Sequence, residues 1–587
     1  AAALARIRVP EKHQIKLWAA EPDLANPVCL YVDHKGRVFV AMSFRLHAGV
    51  TDMREHMDWL EDELAAQTVE DRLAFMEKHE GERFKEYSIE HEHIRRLVDT
   101  NGDGVCDESI VFAEGFNHPA AGIAAGLLVR GSDVWYACIP NLWKLTDADD
   151  DGQAESREAL HTGYGVKIAL LGHDLHGLRV GPDGRLYFSI GDRGLHIDFE
   201  DQTFHIPDRG SVLRCEMDGS GLEVFASGLR NPQELVFDDH GNLFTGDNNS
   251  DGGDKARWVY VVQGGDTGWR HHYQYVTQPN MRGPWNAEGQ WKPSHPEQPW
   301  FLVPPIANVG DGPSGLCMVP DVGWGQEQQG AFLLCDFRGS VPHSSILEVR
   351  HQSAGAGFEL EYSRPWLKDL LPTDCDVGPD GALYVSDWVS GWNMTGKGRI
   401  FRLTPDGLDQ DPAVLEQKEI LAAGMSQRDF SELAGLLRHD SRVIRQEAQL
   451  ELGFRSAKGD PGSTDLRDGM RALLSVAYES RDRPLARLHG IWGVGMVARL
   501  QPDASGFAAS LLPLAEDPDP EVRVQSIKVL GELNDPLGYP VLWRALRADD
   551  YRERAAAAHA LASLSDALDP ELRSRALGPV IEFLIEA

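Results

Sequence analysis

His173 and Asp192 bracket the most informative stretch of this chain, Gly172-His-Asp-Leu-His-Gly-Leu-Arg-Val-Gly-Pro-Asp-Gly-Arg-Leu-Tyr-Phe-Ser-Ile-Gly-Asp-Arg-Gly194. An imidazole next to a carboxylate can act as a general base, because the carboxylate orients the ring and stabilises its protonated form. His176, three residues on, is a second candidate for proton transfer. A lone histidine is more often structural, and this pair rises above that reading through its company. Gly228-Leu-Arg-Asn-Pro-Gln-Glu-Leu-Val-Phe237 and Gly246-Asp-Asn-Asn-Ser-Asp-Gly-Gly-Asp254 gather Arg230, Asn231 and Asp247 around another predicted turn. A small polar ligand or a calcium ion could be held there.

Two further stretches point to oxygen-ligand chemistry. Asp147, Asp149, Asp151, Glu155 and Glu158 stand at the side-chain ligand positions of a calcium loop, with Gln153 supplying the main-chain carbonyl and Gly152 the sharp turn. Asp99, Asn101, Asp103, Val105 and Asp107 fit the first nine positions of the same pattern. The twelfth position there is Ile110, so the closing ligand is missing unless Glu108 swings in. The alternative for both is an acidic turn without metal.

The elements that must position these groups are short strands. Val377-Gly-Pro-Asp-Gly-Ala-Leu-Tyr-Val-Ser-Asp387 repeats the turn and strand of Gly181 to Asp192, and Val236 to Asp247 and Val32 to Val40 are looser copies. Hairpin-like units centre near Gly36, Ser132, Gly184, Gly241, Gly330 and Gly381, which predicts a six-bladed β-propeller over 1–406. In a propeller the connections after His173 and Asp192 would meet at the mouth of the central channel. An insertion at about 43–93 has Met53, Met57, Leu60 and Leu64 at helical spacing and predicts a helical excursion over one propeller face.

Beyond Asp406 the texture changes to Ala, Leu, Arg and Glu at helical period. Ile444-Arg-Gln-Glu-Ala-Gln-Leu-Glu-Leu-Gly453 matches Val522-Arg-Val-Gln-Ser-Ile-Lys-Val-Leu-Gly531, with weaker copies at Leu485 to Trp492 and Arg554 to Leu561. The expected class is therefore multidomain, β then α: the propeller, then a HEAT-like α-solenoid over 412–587. The final helix, about 574–587, lacks an obvious polar cap, which predicts that a further segment once followed it.

The net charge of −34 and the lack of basic patches argue against nucleic acid. No apolar run approaches the length of a transmembrane helix. All seven cysteines precede residue 376 without a Cys-x-x-Cys pair, so no disulfide framework and no haem motif is expected. The chain starts Ala1-Ala-Ala-Leu, with neither a Met nor a signal pattern, and the expected location is periplasmic or secreted with the leader absent from this sequence.

The residues around His173 resemble the soluble quinoprotein glucose dehydrogenase and aldose sugar dehydrogenase family, six-bladed propellers that use pyrroloquinoline quinone (PQQ) and calcium. The likeness rests on His173, Gly181-Pro-Asp183, Gly191-Asp-Arg-Gly194 and Arg230-Asn-Pro-Gln233. It implies that His173 takes the proton of a sugar or polyol hydroxyl while Asp192 orients it. It also implies that Arg230 and Asn231 contact the quinone and that carbonyls near Asn249 and Ser250 bind calcium. Arg338 would remain as a cofactor cation, whereas Leu371-Pro-Thr-Asp-Cys375 stands where that family offers further cations. Over nearly the whole chain the plan is similar to the membrane-bound dehydrogenase family of planctomycetes and verrucomicrobia, propellers followed by HEAT repeats. There the propeller is often joined to cytochrome c, which implies a possible cytochrome c partner met through the HEAT region. His176-Gly-Leu, Asp311-Gly-Pro-Ser-Gly-Leu316, Cys335-Asp-Phe-Arg-Gly339 and Pro372-Thr-Asp-Cys-Asp376 carry that likeness.

Two other readings stay open at the level of sequence. One is a metal-dependent hydrolase or lactonase with Asn231, Asp247 and Asn248 as ligands. The other is a non-catalytic carbohydrate- or protein-binding propeller with a HEAT scaffold.

Overall fold

The recurring Asp-Gly turns have one physical cause. In each, an Asp side chain accepts the amide two residues ahead while the following Gly takes a left-handed conformation that disfavours other residues. Asp33 accepts the amides of Lys35 and Arg37 beside Gly36 (φ 80°), and Asp238 those of His240 and Asn242 beside Gly241 (φ 69°). Asp183 and Asp380 do the same for Arg185 and Ala382. A computed structural model describes residues 4–251, 253–275, 295, 303–460, 463–502 and 506–565.

These turns join the first two strands of blades 1, 3, 4 and 6 in a ring of six four-stranded antiparallel sheets, the blades of a propeller. Blade 1 is Pro27–Val32, Val38–Met42, Glu92–Val98 and Glu108–Phe116. Blade 2 is Gly126–Arg130, Asp133–Cys138, Asn141–Thr146 and Ser156–Thr162. Blade 3 is Leu175–Val180, Leu186–Ile190, Gly210–Cys215 and Glu223–Leu229, with the hairpin Leu195–Phe199/Gln202–Ile206 set between its second and third strands. Blade 4 is Pro232–Phe237, Leu243–Asp247, Arg257–Val261 and Ala307–Asn308, and blade 5 is Pro313–Met318, Phe332–Asp336, Ser345–Ala354 and Gly357–Lys368. Blade 6 takes Pro372–Val377, Leu383–Asp387 and Arg399–Pro405, and His13–Ala20 from the start of the chain completes it as the outermost strand. Joining the two ends of the ring in one sheet closes the propeller. All seven cysteines are buried and free, most of them in these strands, as small apolar core residues.

The segment between Met42 and Glu92 is helical, but not as one helix from Met53. Met53–Glu55 and Met57–Trp59 are single 3₁₀ turns broken at His56, and α-helix begins only at Leu60–Ala65 and Val69–Glu80. The reason is burial: Met53 and Trp59 pack with Phe75, Val166 and Ile168, whereas Leu64 faces solvent.

Helices after Pro412 form two layers. Arg442–Ala457, Pro484–Leu500, Pro520–Glu532 and Tyr551–Ser565 stack side by side, with Thr464–Glu479, Phe507–Leu511 and Tyr539–Ala545 among those behind them. The first of these layers docks on the propeller face that carries the first-hairpin turns. Gln446 and Gln449 donate to the carbonyls of Val180 and Pro182, and Gln525 to that of His240. Arg130 forms a bidentate pair with Glu447 at 2.7 and 2.8 Å, while Glu532 accepts from Arg185 and Arg214. Met496 sits on Gly184, where a Cβ would come within 2.8 Å of its sulfur. The solenoid thus covers this end of the channel, with a cavity of about 230 Å³ between Arg179, Asp376, Arg442 and His489. The last helix expected at 574–587 lies outside the described residues.

Candidate functional site

A second cavity lies at the other end of the channel among the described residues. It has a volume of about 690 Å³, within the usual range for small-molecule sites, and lies where the inner strands begin. Its walls include Gly172 and Asn231 from the connections ahead of those strands, Gln233, Ser314 and Thr373 from the strands themselves, and Phe337, Arg338, Trp388 and Trp392 from blades 5 and 6. Leu46, His47, Asp52, Arg54 and Glu55 of the insertion complete the rim.

Blade 3 brings the predicted dyad together behind the Gly172 wall of this cavity, which neither His173 nor Asp192 itself lines. His173 precedes its first strand and Asp192 follows its second, and the hairpin sets His173 Nδ1 at 2.7 Å from Asp192 Oδ1. Both are buried. Asp192 Oδ2 accepts Trp269 Nε1–H at 2.8 Å. Burial pushes the His173 pKa below its ordinary value, outweighing the opposing pull of Asp192, so the ring is neutral near pH 7. Burial would raise Asp192, yet His173 and His271 hold its carboxyl well below the usual range. With Nδ1 turned to the carboxylate, Nε2 is the nitrogen that Asp192 does not engage.

His176 does not share this role. It lies within the strand Leu175–Val180 rather than ahead of it, and its Nε2 contacts the Gly172 carbonyl at 3.0 Å. Burial and the neighbouring His173 push it down to about 3, so it braces the Gly172 turn as a neutral ring.

The insertion fastens the segment that leads into His173. Lys167 caps its first helix by donating to the carbonyls of Glu63, Leu64 and Ala66 at 2.8, 3.0 and 2.6 Å. Glu63 in return accepts the amides of Ile168 and Ala169, and Asp52 that of Leu171. His271 stands between Glu63 and Asp192 at 3.4 and 3.6 Å. Burial alone would lower its pKa, but the two carboxylates overcome that and raise it to about 9. Trp269, His271 and Glu63 escaped the sequence reading. Trp269-Arg-His-His-Tyr273 is conspicuous in composition, but no spacing ties it to Asp192.

The predicted cofactor residues are distributed unevenly. Asn231 lines the cavity, donates to the Gly172 carbonyl at 3.1 Å and keeps a buried Oδ1 without a partner. Arg230 lies behind Asp251: it donates to Asp251 at 2.7 Å and to Gln274 at 3.1 Å, packs over Trp269, and has a buried Nη1 without a partner. Arg338 faces the cavity but is held by Asp311 and Asp336. Asn249 is on the wall, whereas Ser250 is buried with its amide and hydroxyl both given to Asp254. Asp247 is fully buried against the amides of Arg230 and Asn231 and the guanidinium of Arg257.

The acidic loops lie on the blades, away from this cavity. Asp147, Asp149, Asp151 and Glu155 converge, each offering an oxygen within 4.8 Å of the others, and Asp147 Oδ1 is buried without a partner. Gln153 gives its amide to Asp151. Glu158 does not join: it sits on the strand Ser156–Thr162 opposite Lys144. In the other loop Asp99 accepts the amides of Gly102, Asp103 and Gly104, Asn101 that of Asp103, and Asp103 that of Val105. Asp107 is spent on Thr100, and among the described residues these carboxylates do not converge.

Residues 1–392 match the family model described as a domain of unknown function (DUF7133), and residues 470–562 match HEAT repeats. Quinoprotein glucose dehydrogenase B of Acinetobacter calcoaceticus is 29% identical over an alignment of 124 residues that covers 16% of this chain and 26% of that protein. The chain thus spans about a quarter of that curated relative. Among solved structures, the holo PQQ domain of pyranose dehydrogenase from Coprinopsis cinerea aligns with a TM-score of 0.39 and 13% identity, covering 68% of this chain and 97% of that one. PQQ-bound aldose sugar dehydrogenase from Streptomyces coelicolor aligns at 0.37 and 16%, covering 68% and 99%.

Proposed function

This chain belongs to the DUF7133 family, whose description names no activity, and on the chemistry of its own site we propose that it is an extracytoplasmic quinoprotein-type dehydrogenase oxidising a sugar or polyol. The observation that carries the reading is the buried His173–Asp192 dyad at 2.7 Å, beside a cavity of about 690 Å³. Similarity to a curated quinoprotein glucose dehydrogenase agrees with it.

Two buried polar atoms at the site await a cofactor's polar groups, although Asp52, Glu55, Asp251 and Asp311 on the wall oppose a polyanion. Arg230 Nη1 and Asn231 Oδ1 are buried polar atoms that the protein itself leaves unpaired, which costs stability unless a ligand satisfies them. Asn231, Arg230 and Arg338 would hold the group, with Trp388 and Trp392 on the same cavity's wall. A bound quinone supplies a two-electron acceptor for the hydride leaving the alcohol carbon. His173 Nε2 takes the hydroxyl proton, Asp192 stabilises the resulting imidazolium, and the insertion narrows the mouth against water. With Arg338 already neutralised by two carboxylates, cofactor affinity should be modest and depend on calcium.

Calcium is also proposed for the Asp147–Glu155 loop, with Asp147 Oδ1 as the waiting ligand. Onward electron transfer would need an acceptor outside this chain, such as a cytochrome c meeting the HEAT region. No helix of the described residues is long and apolar enough to cross a membrane. The metal-hydrolase reading loses ground because Asp247, one of its three ligands, is committed to Arg257 and two amides.

The test is calorimetric titration of metal-stripped full-length protein with PQQ, with and without calcium, followed by acceptor reduction with a panel of sugars and polyols. Calcium-dependent binding that Arg230→Ala weakens and His173→Ala spares is expected. No binding in either condition, together with no oxidation of any substrate, would overturn the proposal.

A further inference from the structure

The point where the insertion returns into blade 1 carries a group of donors that the cavity does not use. His91-Glu-His93 leads into the strand Glu92–Val98, where alternation sends the two histidines to one face and Glu92 to the other. Glu92 is fully buried and accepts from Ser43 Oγ and the Arg45 amide. The imidazoles stack outside, with ring centroids 4.5 Å apart and planes 15° apart.

The partner strand supplies a carboxylate through an irregularity. Pairing steps from Glu92↔Phe116 to Ile94↔Ala113, so Glu114 and Gly115 together oppose His93. Gly115 takes φ 84°, and this bulge turns Glu114 Oε2 to within 3.8 Å of His93 Nδ1. One donor atom from each of His91, His93 and Glu114 lies within 4.8 Å of the others.

We propose that His91, His93 and Glu114 bind a divalent transition-metal ion of the zinc type. Two imidazole nitrogens and one carboxylate oxygen are a zinc donor set, whereas calcium selects oxygen alone. Tetrahedral zinc ligands sit about 3.4 Å apart, so the triad must contract, and Glu114, with a side chain 57% exposed, is free to turn inward. Phe44 packs on His93 at 4.8 Å and fixes that ring. His91 Nδ1 faces the Gly115 amide at 3.2 Å, a long hydrogen bond that metal binding would give up. Solvent supplies the fourth ligand. The ion would pin the end of the insertion to the outer strand of blade 1, holding the element that forms the cavity rim.

Full-length protein stripped with a chelator and refilled with excess calcium would be titrated with zinc alone. One zinc per chain is expected, weakened at least tenfold by His93→Ala and by Glu114→Gln, with zinc raising the melting temperature of the wild type only. Glu114 is exposed on a strand edge, so its variant folds regardless of the outcome. Cobalt should give the intense visible bands of a tetrahedral site. Absence of zinc binding to the wild type, or undiminished affinity in both variants, would sink the proposal.

Discussion

Asp192 Oδ1 lies 2.7 Å from Nδ1 of His173, and Trp269 grips the other oxygen of the same carboxylate at 2.8 Å. The carboxylate therefore cannot rotate away from the ring, and the ring keeps one tautomer. On the proposed chemistry, His173→Ala should lower turnover by roughly 10²- to 10⁴-fold. Asp192→Asn should fall in the same direction without loss of cofactor binding. The acid limb of the pH profile should lie below pH 6.5, because burial lowers the His173 pKa and the base form persists to more acidic pH. An acid limb above 6.5 would contradict this arrangement.

His271 gives a stability prediction with the opposite sign. Its folded pKa is raised to about 9 from an ordinary 6.5. Its contribution is therefore complete below pH 6.5 and is lost as pH rises through 9, at most on the order of 3 kcal/mol. Thermal melts from pH 6 to 10 should show a decline that His271→Gln flattens.

Calcium should raise the melting temperature of chelator-stripped protein, and Asp147→Ala should remove most of that gain. At one hundred times the dissociation constant the gain is about 2.7 kcal/mol. Glu158→Gln should leave it intact, since Glu158 pairs in register with Lys144 on a strand. Equal loss in both variants would mean that the loop rearranges to recruit Glu158.

Glu447→Gln should loosen the solenoid from the propeller. It leaves Arg130 without its bidentate partner at an interface where Glu447 is 12% exposed. The cost should be roughly 2 kcal/mol, below the 3–5 typical of a fully buried pair, because Arg130 keeps some solvent contact. Limited proteolysis between Pro405 and Pro412 should then quicken relative to the wild type.

The architecture was largely legible in the sequence because its signals are local. An Asx turn with a left-handed glycine needs only four residues, and its repetition at Gly36, Gly184, Gly241 and Gly381 announces the blades one by one. The helical repeats of the solenoid show themselves for the same reason. Between Met53 and Leu64 the helical spacing did not reveal where the helix is interrupted, because Met53 and Trp59 both turn toward Val166 and Ile168, which breaks the chain at His56.

For the site, sequence determined which residue types were available: a histidine ahead of one strand, an aspartate after the next, and an Arg-Asn pair before another. Tertiary structure alone decided their roles. It joined His173 to Asp192 across a hairpin, buried His176 behind them, turned Arg230 onto Asp251, and brought Glu63, Trp269 and His271 to the dyad from positions about 80 to 130 residues away in the chain. It also placed the solenoid on the turn-bearing face, opposite the cavity lined by Gly172 and Asn231. The physical reason is range. Turn chemistry and periodicity act over a few residues, whereas burial, ion pairing and pKa shifts depend on which distant surfaces the closed ring brings into contact.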